Sequence, residues 1–384
     1  MTVVLHISVV HRHDDNRIFG RECRTLANVG YDVSYLAPDD KPFAEIDGVR
    51  LPPLPRRSRS RRWMSVREIV AELRRLHPHV VHVHDPELLT LFPAARAFVP
   101  RLVYDMHEYL PEQVAIKPYV PSSVRPAASR LAAIAQRTLA RFGDGVISAA
   151  PLQLRALGAR PALRLALLNY PRFSRFATLS PRPELAADAR LKLMHVGSLS
   201  EGRGLFLMLD VMTALGPDTP VVLYLAGRYA NPADEAAVRA RVEAELPGRV
   251  VLLGELRPVD VPGYLAAADV AWSPDPRGPQ FELPNVPTKI YEGMAAGSAT
   301  LVGDVADHGE PVRRERCGLV VPPTVEGHVD GVRRLLADRD EVGRMGERGR
   351  NAVRERYSWE AIEGHLVDFY AELCKGLPRG TSAR

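Results

Sequence analysis

At 384 residues the chain exceeds what one hydrophobic core supports and suits two domains of roughly 180 residues each. A composition of 46% hydrophobic and 25% charged residues excludes a disordered or fibrous protein, and no stretch nears the roughly 20 apolar residues of a membrane span. The net charge is only +5, the cysteines Cys23, Cys317 and Cys374 are too scattered for a disulfide framework or zinc site, and the start lacks a signal peptide, so a cytoplasmic protein is expected.

Val3 to Val10 is a short, nearly all-apolar run of the kind a central parallel strand takes. A polar loop follows, then helical spacing over Ile18 to Val29 with Asp15 or Asn16 as cap, a stop at Gly30, and a strand over Tyr31 to Ala37. This is a βαβ unit. Arginines concentrate at Arg56, Arg57, Arg59, Arg61 and Arg62, either as a solvated loop or as a contact for an anionic membrane or phosphorylated acceptor. Nucleic acid is not expected, because no aromatic interleaves with the five arginines.

Strands at Val80 to Val83, Leu102 to Tyr104 and Gly145 to Ser148 alternate with helices, which predicts a doubly wound α/β sheet. A passage rich in Pro, Arg and Ala from Pro171 to Arg190 reads as a linker. Six strands then follow, at Leu191 to Val196, Val221 to Ala226, Val250 to Leu253, Val270 to Trp272, Ala299 to Val302 and Gly318 to Val321. Trp359, Ile362, Leu366, Phe369, Tyr370 and Leu373 form an apolar stripe on a tail helix that must dock.

The segment PNVPTKIYEGMAAG, from Pro284 to Gly297, reads as a loop with Asn285 as possible cap, Pro287 in the first turn and a helix ending at Gly297. Lys289 and Glu292 then share a face near a helix start, where free N–H groups favour a phosphate and a carboxylate accepts ribose hydroxyls. An ordinary intrahelical Lys-Glu pair is the plain alternative. In HVGSLSEGRG a strand runs into Gly197, Ser198, Gly202, Arg203 and Gly204, where glycines let backbone approach a phosphate and Arg203 brings a permanent donor. Two phosphate-type sites imply one diphosphate.

These motifs, in this order and spacing, resemble family 4 of the retaining glycosyltransferases. The likeness runs nearly end to end, through DNRIFGRE, TLANVGYDV, VVHVHDPELL, LVYDMHEYLPE, LNYP, HVGSLSEGRG, PTKIYEGMAAGSATLVGD, CGLVVPP and ERYSW. It implies a GT-B fold of two facing Rossmann-like domains, over residues 1–180 and 181–357, with a helix at 358–376 completing the first. It implies metal-independent transfer from a nucleotide-diphosphate sugar with retention, the departing phosphate acting as base, and no cofactor. Glu292 matches the ribose-binding glutamate of the family and Arg203 its phosphate-binding lysine. The partner arginine falls on Ser198 and the first glutamate on Pro284. Lys289 is therefore expected to supply the missing phosphate cation, and backbone or Glu282 the missing sugar contact.

His107 matches a histidine that faces the donor sugar, with Arg203 and Lys289 completing the catalytic set, and Gly20 lies where backbone nears the acceptor and donor phosphates. Close helix packing is the other reading of Gly20. Arg17, His84, Asp85 and Glu108 are acceptor-side candidates, although Asp85 also reads as a cap for a helix beginning at Glu87. His11, His13, Asp14 and Asp15 resemble a metal cluster in composition alone. Donor, acceptor and an anionic membrane surface are the expected partners. Rival readings are a nucleotide-sugar epimerase of the same fold and a non-catalytic sugar-nucleotide binder. HRHDDNRIFG lacks the G-x-G-x-x-G of a nicotinamide enzyme.

Overall fold

The computed structural model describes residues 1–40, 43–107, 109–116, 120–278 and 286–377. Strand β1 (Val3–Ile7) is buried on both faces and pairs in parallel with β2 (Asp32–Pro38) and β6 (Val80–Val83), matching His6 with His82 across the ladder. Between them in sequence lie the short strands β3 (Ala44–Ile46), β4 (Val49–Leu51) and β5 (Pro53–Leu54). β7 (Arg101–Met106), β8 (Gly145–Ser148) and β9 (Leu163–Ala166) extend the sheet, whose order is β3-β4-β2-β1-β6-β7-β8-β9 with β5 on β2. Apart from the antiparallel β3-β4 pair, these ladders are parallel.

The chain leaves β1 for one side of the sheet and reaches β6 on the other, a reversal of strand order of the kind that opens a ligand crevice at the strands' carboxyl ends. This unit comprises Met1–Asn169 together with Ile362–Arg384. Its late contribution comes from the helix Trp359–Leu373, whose Leu366, Phe369, Tyr370 and Leu373 are buried. Tyr370 Oη lies 2.8 Å from His82 Nδ1, and Thr25 Oγ1 donates to Glu363 at 2.9 Å.

The second unit, Tyr170–Ala361, carries β10 (Leu191–Val196), β11 (Val221–Ala226), β12 (Val250–Gly254), β13 (Val270–Ser273), β14 (Ala299–Gly303) and β15 (Gly318–Val321). All are parallel, in the order β12-β11-β10-β13-β14-β15, so strand order reverses between β10 and β13. Leu193, Leu223, Trp272 and Leu301 sit in its core beneath the helix Leu205–Leu215.

The passage from Pro171 to Arg190 is not a free linker. Phe176 and Leu185 are fully buried, and Arg182 N–H donates to Gly263 O at 3.2 Å, so the division falls at Asn169/Tyr170 rather than at residue 180. Among the described residues no helix is long and apolar enough to cross a membrane.

Candidate functional site

Residues Ile18–Cys23 form a π-helix, the wide-turn geometry that recurs at functional positions, and only Arg24–Asn28 is α-helical. Asp15 caps its start, accepting the Arg17 and Ile18 N–H groups at 2.9 and 2.8 Å. Gly20 is not needed for helix-sheet packing, because an added Cβ would meet nothing nearer than Asp15 O at 3.7 Å. The turn carries Arg17 and Glu22 inward.

Arg17 donates from Nε and Nη2 to Asp105 at 3.0 and 2.9 Å, and from Nη1 to Leu167 O and Asn169 Oδ1, both at 2.8 Å. Burial alone would raise the Asp105 pKa, but Arg17 and His107 hold it well below the carboxylate range. Glu22, fully buried 3.1 Å from Arg17 Nε, goes the other way: burial first, then Asp105, pushes it well above. Asp105 therefore carries the charge that pairs with Arg17.

His107, just past β7, sets Nε2 2.9 Å from Asp105 and 3.1 Å from His84 Nδ1. His84, past β6, passes the chain on to His6, Nε2 to Nδ1 at 2.9 Å, and burial lowers its pKa to about 4. Asp85 does not cap the helical turn Pro86–Leu91. Its carboxylate turns back to accept from Val9 N–H at 2.6 Å and Ser8 Oγ–H at 2.9 Å, because those donors lie at the adjoining end of β1. A cavity of about 360 Å³ is lined by His11, His84, Asp85 and His107 and also by Arg59 and Arg62. The structure thus brings His84, Asp85 and His107 to one cavity with part of the arginine run. Glu108 lies outside the described residues.

Two groups here have metal-ligand atoms within 4.8 Å of one another: His6, Glu22, His82 and His84, and His84, Asp105 and His107. The sequence concealed both, since separate strands and a helix assemble them. Each lies against the Arg17 guanidinium, whose charge opposes a dication.

In the second unit the helix starts at Thr288, with Pro287 outside it and Gly297 at φ +86° closing it. Lys289 is the second helical residue, with its side chain 16% exposed, and donates from Nζ to Asp275 at 3.0 Å. Asp275 also accepts from Ser273 Oγ–H at 2.6 Å and meets His308 Nδ1 at 3.1 Å. Burial would raise Asp275, yet His308, Lys289 and Ser273 hold it below its ordinary value. Burial draws the Lys289 ammonium below the usual lysine pKa, Asp275 opposes this, and the Arg203 charge adds to it. Lys289 and Arg203 are thus electrostatic neighbours.

Asp275 holds φ +36°, a conformation that costs energy for a non-glycine residue. Sequence reasoning passed over it. The signal was S-P-D-P after a strand, since Asp tolerates the left-handed region better than most residues. Gly204, at φ +79°, packs closely on this loop: a Cβ there would lie 2.7 Å from Pro274 Cγ. Gly197 does sit at an opening, lining with Ser198, Arg228 and Tyr229 a cavity of about 680 Å³. Glu292 is half-buried, 3.9 Å from Arg175, and lines a narrow gap with Lys289. Asn285, Pro284 and Glu282 lie outside the described residues.

His195 and His328 flank this site. Burial, then Lys289, lowers His195 to about 3, and burial lowers His328 to about 4. A folded state that refuses protons the unfolded state accepts loses stability as pH falls through the unfolded value of 6.5. Each histidine contributes about 1.4 kcal/mol per pH unit below that point, His328 levelling off near pH 4. Urea unfolding followed by fluorescence of buried Trp272 and Trp359 is expected to show this decline between pH 6.5 and 4. A flat profile would mean that the rings take up protons in place.

The family model for Glycosyltransferase Family 4 matches residues 17–160, and that for Glycosyl transferases group 1 matches residues 190–338. A GDP-mannose-dependent alpha-(1-6)-phosphatidylinositol monomannoside mannosyltransferase of Mycobacterium tuberculosis is 31% identical over 122 residues, 31% of this chain. The match spans about a third of that relative's length, 32%. Sucrose-phosphate synthase from Thermosynechococcus elongatus superimposes with a TM-score of 0.74 at 18% identity, covering 97% of this chain and 99% of the other. Anabaena HepE, solved in complex with UDP, gives 0.70 at 15%, covering 97% and 100%. With two Rossmann-like parallel sheets of GT-B type and both family models in sequence, the chain belongs to the family 4, group 1 glycosyltransferases.

Proposed function

We propose that the chain transfers a sugar from a nucleotide-diphosphate sugar to an acceptor, with retention at the anomeric carbon and without a metal ion or other cofactor. The observation that carries this reading is the cationic corner of the second unit. Lys289, fixed by buried Asp275 and close in charge to Arg203, stands at a helix start beside the reversal of strand order. Departure of the nucleotide leaves negative charge on its phosphate, and preorganised cations stabilise that charge as it forms. Lys289 keeps donors for a phosphate besides the one given to Asp275, since an ammonium has three. Arg203 supplies a second, permanently charged group.

The cavity at Gly197 and Ser198 suits the nucleotide, and Glu292 is assigned the ribose hydroxyls. In the first unit His107 is the proposed catalytic group, oriented by Asp105, with Arg17, His84 and Asp85 shaping the acceptor side and Gly20 leaving room for it. The departing phosphate serves as base. Such a transferase, of EC class 2.4, acts in the cytoplasm on a cell-envelope polysaccharide, glycolipid or natural-product acceptor.

The mycobacterial relative is named for GDP-mannose, and HepE has been solved with UDP-glucose. These two donors therefore lead a thermal-shift panel of nucleotide sugars. A ligand at 100 times its Kd stabilises by about 2.7 kcal/mol, enough to rank donors plainly. No shift with any common nucleotide sugar would overturn the reading, and a rearranged sugar nucleotide formed without acceptor would replace it by epimerisation.

A further inference from the structure

Residues 56–67 carry six arginines, of which Arg56, Arg57 and Arg62 pair with Asp40, Glu68 and Glu87, while Arg59, Arg61 and Arg67 face solvent. The segment folds as a 3-10 helix, Arg59–Ser65, running into the helix Val66–Leu76, whose Ile69 and Leu73 are buried. Three apolar side chains around the junction of the two helices face outward: Trp63 is 73% exposed, Met64 42% and Val66 38%. Arg59, Arg61 and Arg67 are exposed beside them.

A large exposed aromatic ringed by cations has a specific physical meaning. Indole favours the boundary between water and hydrocarbon, and arginines are drawn to the negative surface of a bilayer. Nucleic acid would call for several stacking faces along a groove, whereas here one indole stands with two aliphatic neighbours. An acidic protein would satisfy the arginines yet leave no reason for the apolar ring.

We infer that residues 59–67 are a docking surface for an anionic phospholipid bilayer, with Trp63 entering the headgroup layer and Arg59, Arg61 and Arg67 on lipid phosphates. Arg59 and Arg62 also line the cavity that holds His107, so the acceptor-side opening adjoins the docked face. Given the transferase reading, a lipid-linked acceptor follows from that adjacency.

The test is sedimentation of the full chain with vesicles of phosphatidylglycerol and phosphatidylcholine in equal parts, or of phosphatidylcholine alone. Binding is expected to the first, to weaken with salt, and to be near absent for the second. Trp272 and Trp359 are buried, so quenching by brominated lipid chains reports on Trp63. Reversing two surface charges, Arg61→Glu/Arg67→Glu, should weaken binding by at least about 25-fold, about fivefold per residue lost. Trp63→Ser should abolish the quenching, with melting temperatures unchanged. Equal binding to both vesicles, unaltered binding by the double variant, or capture by RNA without vesicle binding would overturn the proposal. None of these readouts involves donor or acceptor, so their failure stands apart from failure of the transferase assay.

Discussion

Replacing Lys289 by methionine is expected to lower kcat by roughly 10²- to 10³-fold, the usual effect of removing one donor from a site where negative charge develops. Methionine keeps the volume of the stem and deletes the cation. Asp275 keeps Ser273 and His308 as partners, so the fold should survive, and an unchanged melting temperature checks this. The companion change, Asp275→Asn, leaves the ammonium in place but removes the carboxylate that offsets its burial. Its pKa then falls further, and because the charged form is the one required, activity should fade at lower pH on the alkaline side. Full activity in the methionine variant would remove Lys289 from the mechanism.

Asp105→Ala is expected to destabilise the first unit by about 3–5 kcal/mol, because it strands the Arg17 guanidinium among buried groups. Nearby Glu22 would have to ionise to compensate, against burial that favours its neutral form. The double variant Arg17→Met/Asp105→Leu should recover part of the loss, since no unpaired charge remains. Hydrogen exchange of the β1, β6 and β7 amides measures both. A loss under about 1 kcal/mol for the single variant would show that solvent reaches the pair.

Much of the architecture was legible because parallel strands are apolar and β-branched, and β6, β8, β10, β11 and the edge strand β15 fall on the residues that pattern marks. β3, β4, β5 and β9 escaped notice. β3, β4 and β5 are two or three residues long, too short for any period to register, and β9, though as long as β6, is interrupted by Arg164 and only partly buried. The π-turn at Ile18–Cys23 escaped for another reason: its apolar spacing matches that of an ordinary helix.

The site divides in the same way. Lys289, Glu292 and the glycine loop announced themselves through local spacing near a helix start. Asp105 and Asp275 did not, since each takes its meaning from partners 88 and 33 residues away, Arg17 and His308. His6 looked like one polar residue in an apolar strand until the ladder set it opposite His82.

The first unit is built from both ends of the chain, with the whole second unit inserted between Asn169 and Ile362. During synthesis its sheet must therefore wait for the last helix before Tyr370 can close over His82, while residues 170–361 finish folding as one uninterrupted stretch. Met1–Asn169, made before residues 170–361, is thus completed after them. A nascent chain stalled short of Tyr370 would expose the uncovered face to chaperones.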